Sequence, residues 1–306
     1  MKKIILFPLS LALLLIGCDA ESPMDKDLYP QSVYIVGAKD KIVNRDVNIG
    51  NDQDTISISV AVSGSRDSQQ DLIVSIAEDP NAIETYNTKE LSAQAVHYRK
   101  LANGIYQYPL ENLSIKAGTV YNTYPIYIKP ASLHCDSLYM IPLKIKSTSA
   151  YTLNKTDTIA LVKINLVNKY SGLYYMNGVL KNTTNAKDSL VYKMARNAVA
   201  TDNGKTIRIY HYNNEYISGD VKDNRPAFAL KITINADNTL TFATWDKFPI
   251  INGGGNYLPE LKLYNFWYTY TNNGVVWRAS GFLYKERKTD EEQRIVDNWM
   301  EEHPKL

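Results

Sequence analysis

The residue types best suited to binding chemistry gather between positions 245 and 267. Trp245 is followed by Asp246 and Lys247, then by Asn252-Gly253-Gly254-Gly255-Asn256-Tyr257. In the next run Asn265, Trp267 and Thr269 alternate with Tyr264, Phe266, Tyr268 and Tyr270. Alternate residues of a strand face opposite sides, so the all-aromatic set belongs inside and Trp267 turns outward beside Asn265. Indole and phenol rings bury area against apolar faces while their polar tips stay satisfied. A sugar ring offers such C–H faces, and carboxylate or amide side chains can read its hydroxyls. Trp245, Tyr257 and Trp267 are therefore candidate glycan-platform residues, with Asp246, Asn256 and Asn265 as polar readers. The opposing expectation is that these rings are barrel packing, the commoner fate of strand aromatics. Trp277 alternates with Val275, Ala279 and Gly281, a core-like set, and is left outside the platform. Tyr106, Tyr108, Tyr121 and Tyr124 offer weaker grounds for a site earlier in the chain.

Bond-breaking chemistry has no local signature. The sequence contains no His-Glu-x-x-His, no Gly-x-Ser-x-Gly and no cysteine pair at metal spacing. His97, His134, His211 and His303 are scattered, so no metal or cofactor is expected. Gly253-Gly254-Gly255 lacks the Lys-Ser/Thr of a phosphate loop and predicts a flexible turn. Glycoside hydrolysis needs only two facing carboxylates, so a hydrolase without a motif stays as the least favoured reading. The expectation is a protein that is not an enzyme.

The elements that would hold such a site read as two all-β domains. Thr55 to Val62 places Ile56, Ile58, Val60 and Val62 on one face, and Leu72-Val74-Ile76 and Tyr139-Ile141-Leu143-Ile145 repeat the pattern. Ile159 to Val167 is apolar on both faces and predicts a central strand. Asp79-Pro80-Asn81 predicts a turn, and Ala82 to Tyr86 a short helix. Many short strands over residues 31–167 predict a β-sandwich of immunoglobulin type. Asn168 to Gly172 reads as a seam. Beyond it, strand candidates at Leu173–Leu180, Leu190–Val199, Thr206–His211, Ala227–Ile234, Leu240–Trp245, Leu261–Tyr270 and Val275–Tyr284 are joined by turn residues such as Asn272-Asn273-Gly274. That meander over residues 168–306 predicts an up-and-down barrel. Thr289 and Glu292 form a capping box for a last helix with Ile295, Val296, Trp299 and Met300 as its apolar stripe.

Composition narrows the setting. Lys2 and Lys3 precede an apolar run from Ile4 to Ile16 that is too short to span a membrane, so residues 1–17 predict a secretory signal peptide. Leu15-Ile16-Gly17-Cys18 resembles a bacterial lipobox, which implies that Cys18 becomes the lipidated first residue and residues 18–30 a tether. Losing Lys2 and Lys3 takes the net charge from +2 to 0, which leaves no basic excess to argue for nucleic acid or an anionic surface. Lipidation of Cys18 would leave Cys135 without a disulfide partner, so the fold rests on its core.

Four stretches carry a wider resemblance. Ser32-Val33-Tyr34-Ile35-Val36-Gly37-Ala38, Leu113-Ser114-Ile115-Lys116-Ala117-Gly118, Leu138 to Ile145 and Asn168-Lys169-Tyr170-Ser171-Gly172-Leu173-Tyr174 resemble the two-domain lipoproteins encoded in Bacteroidetes polysaccharide-utilisation loci. The first module is similar to the immunoglobulin-like domain found in such proteins and ahead of family-18 endoglycosidases. The second resembles the lipocalin-like domain paired with it. The resemblance implies an outer-membrane lipoprotein facing the exterior, beside a TonB-dependent transporter and its glycan-binding lipoprotein. It makes a host N-glycan one candidate ligand, by analogy only. The leading expectation is non-catalytic glycan binding, and the alternative is a structural or interaction subunit that binds no sugar. Asp54-Thr55-Ile56, Asp136-Ser137-Leu138, Asp157-Thr158-Ile159 and Asp188-Ser189-Leu190 resemble Bacteroidetes O-glycosylation sites and equally suit strand starts.

Overall fold

The structure is a computed structural model that describes residues 29–38, 41–201, 204–212, 214 and 221–306. Cys18 and its leader lie outside the described residues. The first part of the chain runs β1 (Ser32–Ile35), β2 (Ile42–Asn48), β3 (Asp54–Ser63), β4 (Leu72–Glu78), α1 (Ala82–Glu90), β5 (Tyr98–Lys100) and β6 (Tyr106–Gln107). It continues through β7 (Asn112–Ile115), β8 (Tyr121–Ile128), β9 (Leu138–Thr148), β10 (Thr152–Leu153) and β11 (Ile159–Val167).

These strands form two sheets that face each other across one apolar core. One sheet has the order β10-β1-β3-β8-β6 and the other β2-β11-β9-β4-β7, with β5 added against β9. Ile56, Ile58, Val60 and Val62 of β3 all point into that core, as their alternation predicts. β11 shows why its sequence is apolar on both faces. Ala160, Val162 and Ile164 meet the opposite sheet, while Leu161 packs outward with Met140 beneath Ile83 of α1. The helix starts where Asp79 folds back to accept a hydrogen bond from the Asn81 amide at 3.1 Å.

The second part is a meander. It runs β12 (Gly172–Asn182), β13 (Ser189–Ala200), β14 (Thr206–Tyr210), α2 (Arg225–Phe228), β15 (Ala229–Ile234), β16 (Leu240–Thr244) and β17 (Ile250–Leu258). β18 (Leu263–Asn272), β19 (Val275–Tyr284) and α3 (Asp290–Glu302) complete it. Sheet order is β16-β15-β14-β13-β12-β19-β18-β17, so every ladder joins sequence neighbours except that of β12 with β19, and β16 and β17 are the two edges. β16 and β17 approach through the Thr239–Asn256 bridge and a 2.8 Å bond from the Tyr257 amide to the Asn238 carbonyl, which nearly closes the barrel.

The barrel interior is packed with rings. Tyr174, Phe242, Tyr264, Phe266 and Tyr268 fill it together with Ile207, Ile209 and Ile232. Glycines make room for them. Gly253-Gly254-Gly255 lies within strand β17, not in a flexible turn as expected from its composition. A Cβ on Gly253 would sit 2.6 Å from Phe242 Cβ, and one on Gly255 would sit 2.1 Å from the Asn265 carbonyl oxygen. The glycine run therefore serves close approach of backbone and rings.

At the seam, Asn168 Oδ1 accepts from the amides of Tyr170 at 2.9 Å and Ser171 at 2.8 Å. The Tyr170 carbonyl in turn accepts from the hydroxyls of Tyr174 and Tyr264. The connection is thus built into the end of the barrel. α3 is capped as predicted, with Thr289 Oγ1 accepting from the Glu292 amide. Val296 and Trp299 pack against Leu263 and Phe282 on the outside of the barrel, while Ile295 of the predicted stripe stays exposed. The four Asp-Ser/Thr-aliphatic triplets all stand where β3, β9, β11 and β13 begin.

Candidate ligand site at the barrel mouth

The residues expected to form a platform do not share one surface. The Trp245 indole donates to Asp136 Oδ2 of the sandwich at 2.8 Å, and its ring lies 5.6 Å from that of His134. It is an inter-domain contact, with Asp246 exposed beside it. Tyr257 belongs to the barrel interior, where its ring packs against Tyr170 and Tyr264. Enclosed by those rings and away from the concavity at the barrel mouth, Tyr257 is corrected to a core residue. Its odd place in the alternation comes from the glycine-rich strand, in which 257 points inward.

Asn256, Asn265 and Trp267 do come together on the outer face of β17 and β18, where Asn256 is the register partner of Asn265 and Gly254 that of Trp267. The chain itself covers much of this face. Asn265 is 7 % exposed and donates to the Pro304 carbonyl beyond α3, which corrects it from reader to buried support. Trp267 lies beside Gly254, and Arg278 stacks on its ring at 4.2 Å.

Asp136 organises the contact between the domains. Its carboxylate meets Arg208 at 2.9 Å and Arg225 at 3.4 Å, and its carbonyl accepts from Arg225 at 2.7 Å. Arg225 is also paired with Asp223. The donor atoms of His134, Cys135 and Asp136 lie within 4.8 Å of one another, a spacing that could suit a metal. Two guanidinium groups already neutralise the carboxylate, and burial pushes the Cys135 thiol up to about 11, with the Asp136 charge adding to the shift. A metal needs deprotonated ligands, so this cluster fits a clamp better than a metal centre.

The concavity that suits a ligand lies at one end of the barrel. It measures 550 Å³ and is walled by Leu180 and Leu190, His211 and Tyr212, Phe248, Tyr270 and Trp277, with Asp188, Asn214, Asn272 and Asn273 at its polar positions. These residues come from the β12–β13 and β18–β19 hairpins, the end of β14, and the segments around α2 and before β17. The β18–β19 turn has the positive φ angles that its Asn-Gly pair allows, +49° at Asn273 and +79° at Gly274. Trp277 is partly exposed here, because the inward face of β19 runs out into solvent at the mouth. Its core-like alternation hides that ending.

His211 forms the floor. Its ring centroid lies 4.7 Å from that of Phe248 and 4.4 Å from that of Tyr270, and Nδ1 lies 2.7 Å from the Tyr268 hydroxyl. Burial, with the nearby Arg196 charge adding to it, lowers the imidazole pKa to about 3. Arg196 shapes the rim by donating to the carbonyls of Tyr212 and Asn214. Phe, Tyr and Trp rings beside neutral amides are the pairing expected of a sugar site. Two other concavities differ. One of 470 Å³ is lined by Lys262, Lys285, Arg287 and Lys288 with Glu260, Glu286 and Glu292, and one of 410 Å³ lies under α1.

Comparison with known proteins agrees with the two-part architecture. One family profile, of an N-terminal domain, matches residues 29–152, and a second, of a C-terminal domain, matches residues 158–284. No curated protein matches the chain in sequence. Among solved structures, a multidomain protein including DUF1735 from Bacteroides ovatus superposes with a TM-score of 0.60 at 19% identity, covering 82% of this chain and 93% of its own. A Bacteroides ovatus protein of unknown function gives 0.62 at 20% identity, covering 86% and 99%. An auxiliary nutrient binding protein from Bacteroides thetaiotaomicron gives 0.57 at 16% identity, covering 79% and 90%.

Proposed function

We propose, from the premise that the chain belongs to the two-domain Bacteroidetes family that pairs these N-terminal and C-terminal domains, that it binds glycan without turning it over. In this reading it is a lipoprotein of the outer membrane, held through Cys18 and facing the exterior. The observation that carries the binding role is the barrel mouth, where the partly exposed rings of Trp277 and Tyr212 flank 550 Å³ beside neutral amides, over a floor of buried Phe248. Rings of this kind stack on sugar C–H faces, and Asn214, Asn272 and Asn273 can exchange hydrogen bonds with hydroxyls. The similar fold of an auxiliary nutrient binding protein is in keeping with this role. A TonB-dependent transporter and its glycan-binding lipoprotein are the partners proposed with it. The site replaces the Trp245–Trp267 platform, whose parts the fold separates.

Isothermal titration against host N-glycans and plant oligosaccharides tests the reading. Saturable binding to at least one glycan class is expected. Flat titrations across the panel would overturn it and favour a structural subunit. Fractionation of cells expressing the Cys18→Ser variant tests the anchor, which predicts release from the membrane fraction.

A further inference from the structure

We propose that the barrel mouth selects uncharged glycan ends, and that His211 reads them through an Nε2–H donor whose tautomer is set from behind by Tyr268. This rests on the glycan-binding reading of the same mouth and adds the ligand's charge class and the residue that senses it.

The tautomer follows from hydrogen-bond satisfaction. Tyr268 is fully buried, and the bond to His211 Nδ1 at 2.7 Å is the one its hydroxyl makes among the described residues. A phenol has a single O–H to donate, and a neutral imidazole has one donor and one acceptor nitrogen. If Nδ1 carried the proton, the buried Tyr268 O–H would have no acceptor among the described residues, which structures avoid. Nδ1 therefore accepts and the proton resides on Nε2. Tyr268 lies in the barrel interior, so Nδ1 points inward and Nε2 points away from it, toward the concavity that His211 lines. The ring cannot swivel freely between Phe248 and Tyr270. A donor held this rigidly loses little freedom on binding.

The charge class follows from the walls. Asp188 is the carboxylate among the described lining residues, and the other polar positions are neutral amides, a threonine, the phenols of Tyr212 and Tyr270, and the imidazole. The nearby guanidinium of Arg196 is turned to the carbonyls of Tyr212 and Asn214. A uronic or sialic acid carboxylate entering here would lose hydration, face Asp188 and find no cation among the described lining residues. A hydroxyl or acetamido oxygen needs only a donor, which Nε2–H supplies.

Two measurements on the full chain decide the matter. The first is titration with neutral oligosaccharides and with counterparts bearing a terminal uronic or sialic acid. Neutral ends should bind at least about tenfold tighter, and the Tyr268→Phe variant should weaken them roughly five- to tenfold, the effect of loosening one hydrogen bond. Equal or tighter binding of the acidic counterparts would overturn the proposal. The second is the ring nitrogen chemical shifts of His211 in the unliganded wild-type protein at pH 7, which report the tautomer even if the variant misfolds. An Nε2–H signature is expected, and an Nδ1–H signature would sink the proposal. If no glycan of either kind binds, the glycan reading itself falls, while the nitrogen shifts still decide the tautomer.

Discussion

The Trp245 indole and the Asp136 carboxylate meet at 2.8 Å across the boundary between sandwich and barrel. The same carboxylate faces Arg208 and Arg225, whose side chains are almost wholly buried. Removing one member of a buried ion cluster leaves uncompensated charge and costs about 3–5 kcal/mol. Asp136→Ala should therefore lower the stability measured by urea denaturation by that order, and should split one transition into two as the domains uncouple. A loss below about 1 kcal/mol would show that the clamp contributes little.

Two tryptophans should behave oppositely in binding. Trp277→Ala removes a ring from the mouth and should weaken glycan binding at least about tenfold, as loss of an aromatic anchor does. Trp267→Ala removes a ring already stacked on by Arg278 on the outer face and should change affinity less than about twofold. The reverse order in calorimetry would return the site to the face of β17 and β18.

Acid should weaken the barrel through His211. Its folded pKa, near 3, lies below the ordinary value of 6.5 because the ring is buried beside Arg196, among the phenols of Tyr212, Tyr268 and Tyr270. Between those values the unfolded chain binds a proton that the folded chain does not, so stability falls as pH drops through that window. The slope is about 1.4 kcal/mol per pH unit for one such group. Unfolding free energies from urea denaturation at pH 6.5 and 5 should differ more in wild type than in His211→Phe, by on the order of 2 kcal/mol.

Glycine substitutions should separate crowding from backbone strain. Gly255 has φ of +140° and no room for a Cβ, whereas Gly274 has φ of +79° with nothing within 4 Å. Gly274→Ala should cost about 1 kcal/mol, the strain of a left-handed residue. Gly255→Ala should cost well over about 2 kcal/mol or abolish folding, since backbone must move as well. Thermal denaturation of both variants distinguishes the two cases.

Strand positions were legible in the sequence wherever one face was buried and the other was not. β3 alternates over Ile56 to Val60 for that reason, and the inward Tyr264-Phe266-Tyr268-Tyr270 face of β18 follows from the same period. β17 escaped because glycine carries no side chain to alternate. The mouth escaped for a different reason. Its walls come from positions as far apart as Leu180 and Trp277, and no local spacing marks residues that meet only when a barrel closes. The clamp joins residues 109 positions apart, so in sequence Trp245 reads as a glycan-platform candidate, with nothing local to mark Asp136 as its partner.

In the barrel β12 to β16 pair in sequence order and so do β17 to β19, and the pairing of β12 with β19 joins the two runs. The local hairpins close short loops, whereas this one pairing closes a loop of roughly a hundred residues, and long closures form late. β12 and β19 thus carry the slow step of assembly. Until they join, the barrel is two separate ribbons, β12–β16 and β17–β19, and the mouth, which needs Leu180 and Trp277 from those same two strands, does not yet exist. Ligand binding at the mouth can then serve as a report of completed folding, since a chain that has not sealed that last ladder has nothing to bind with.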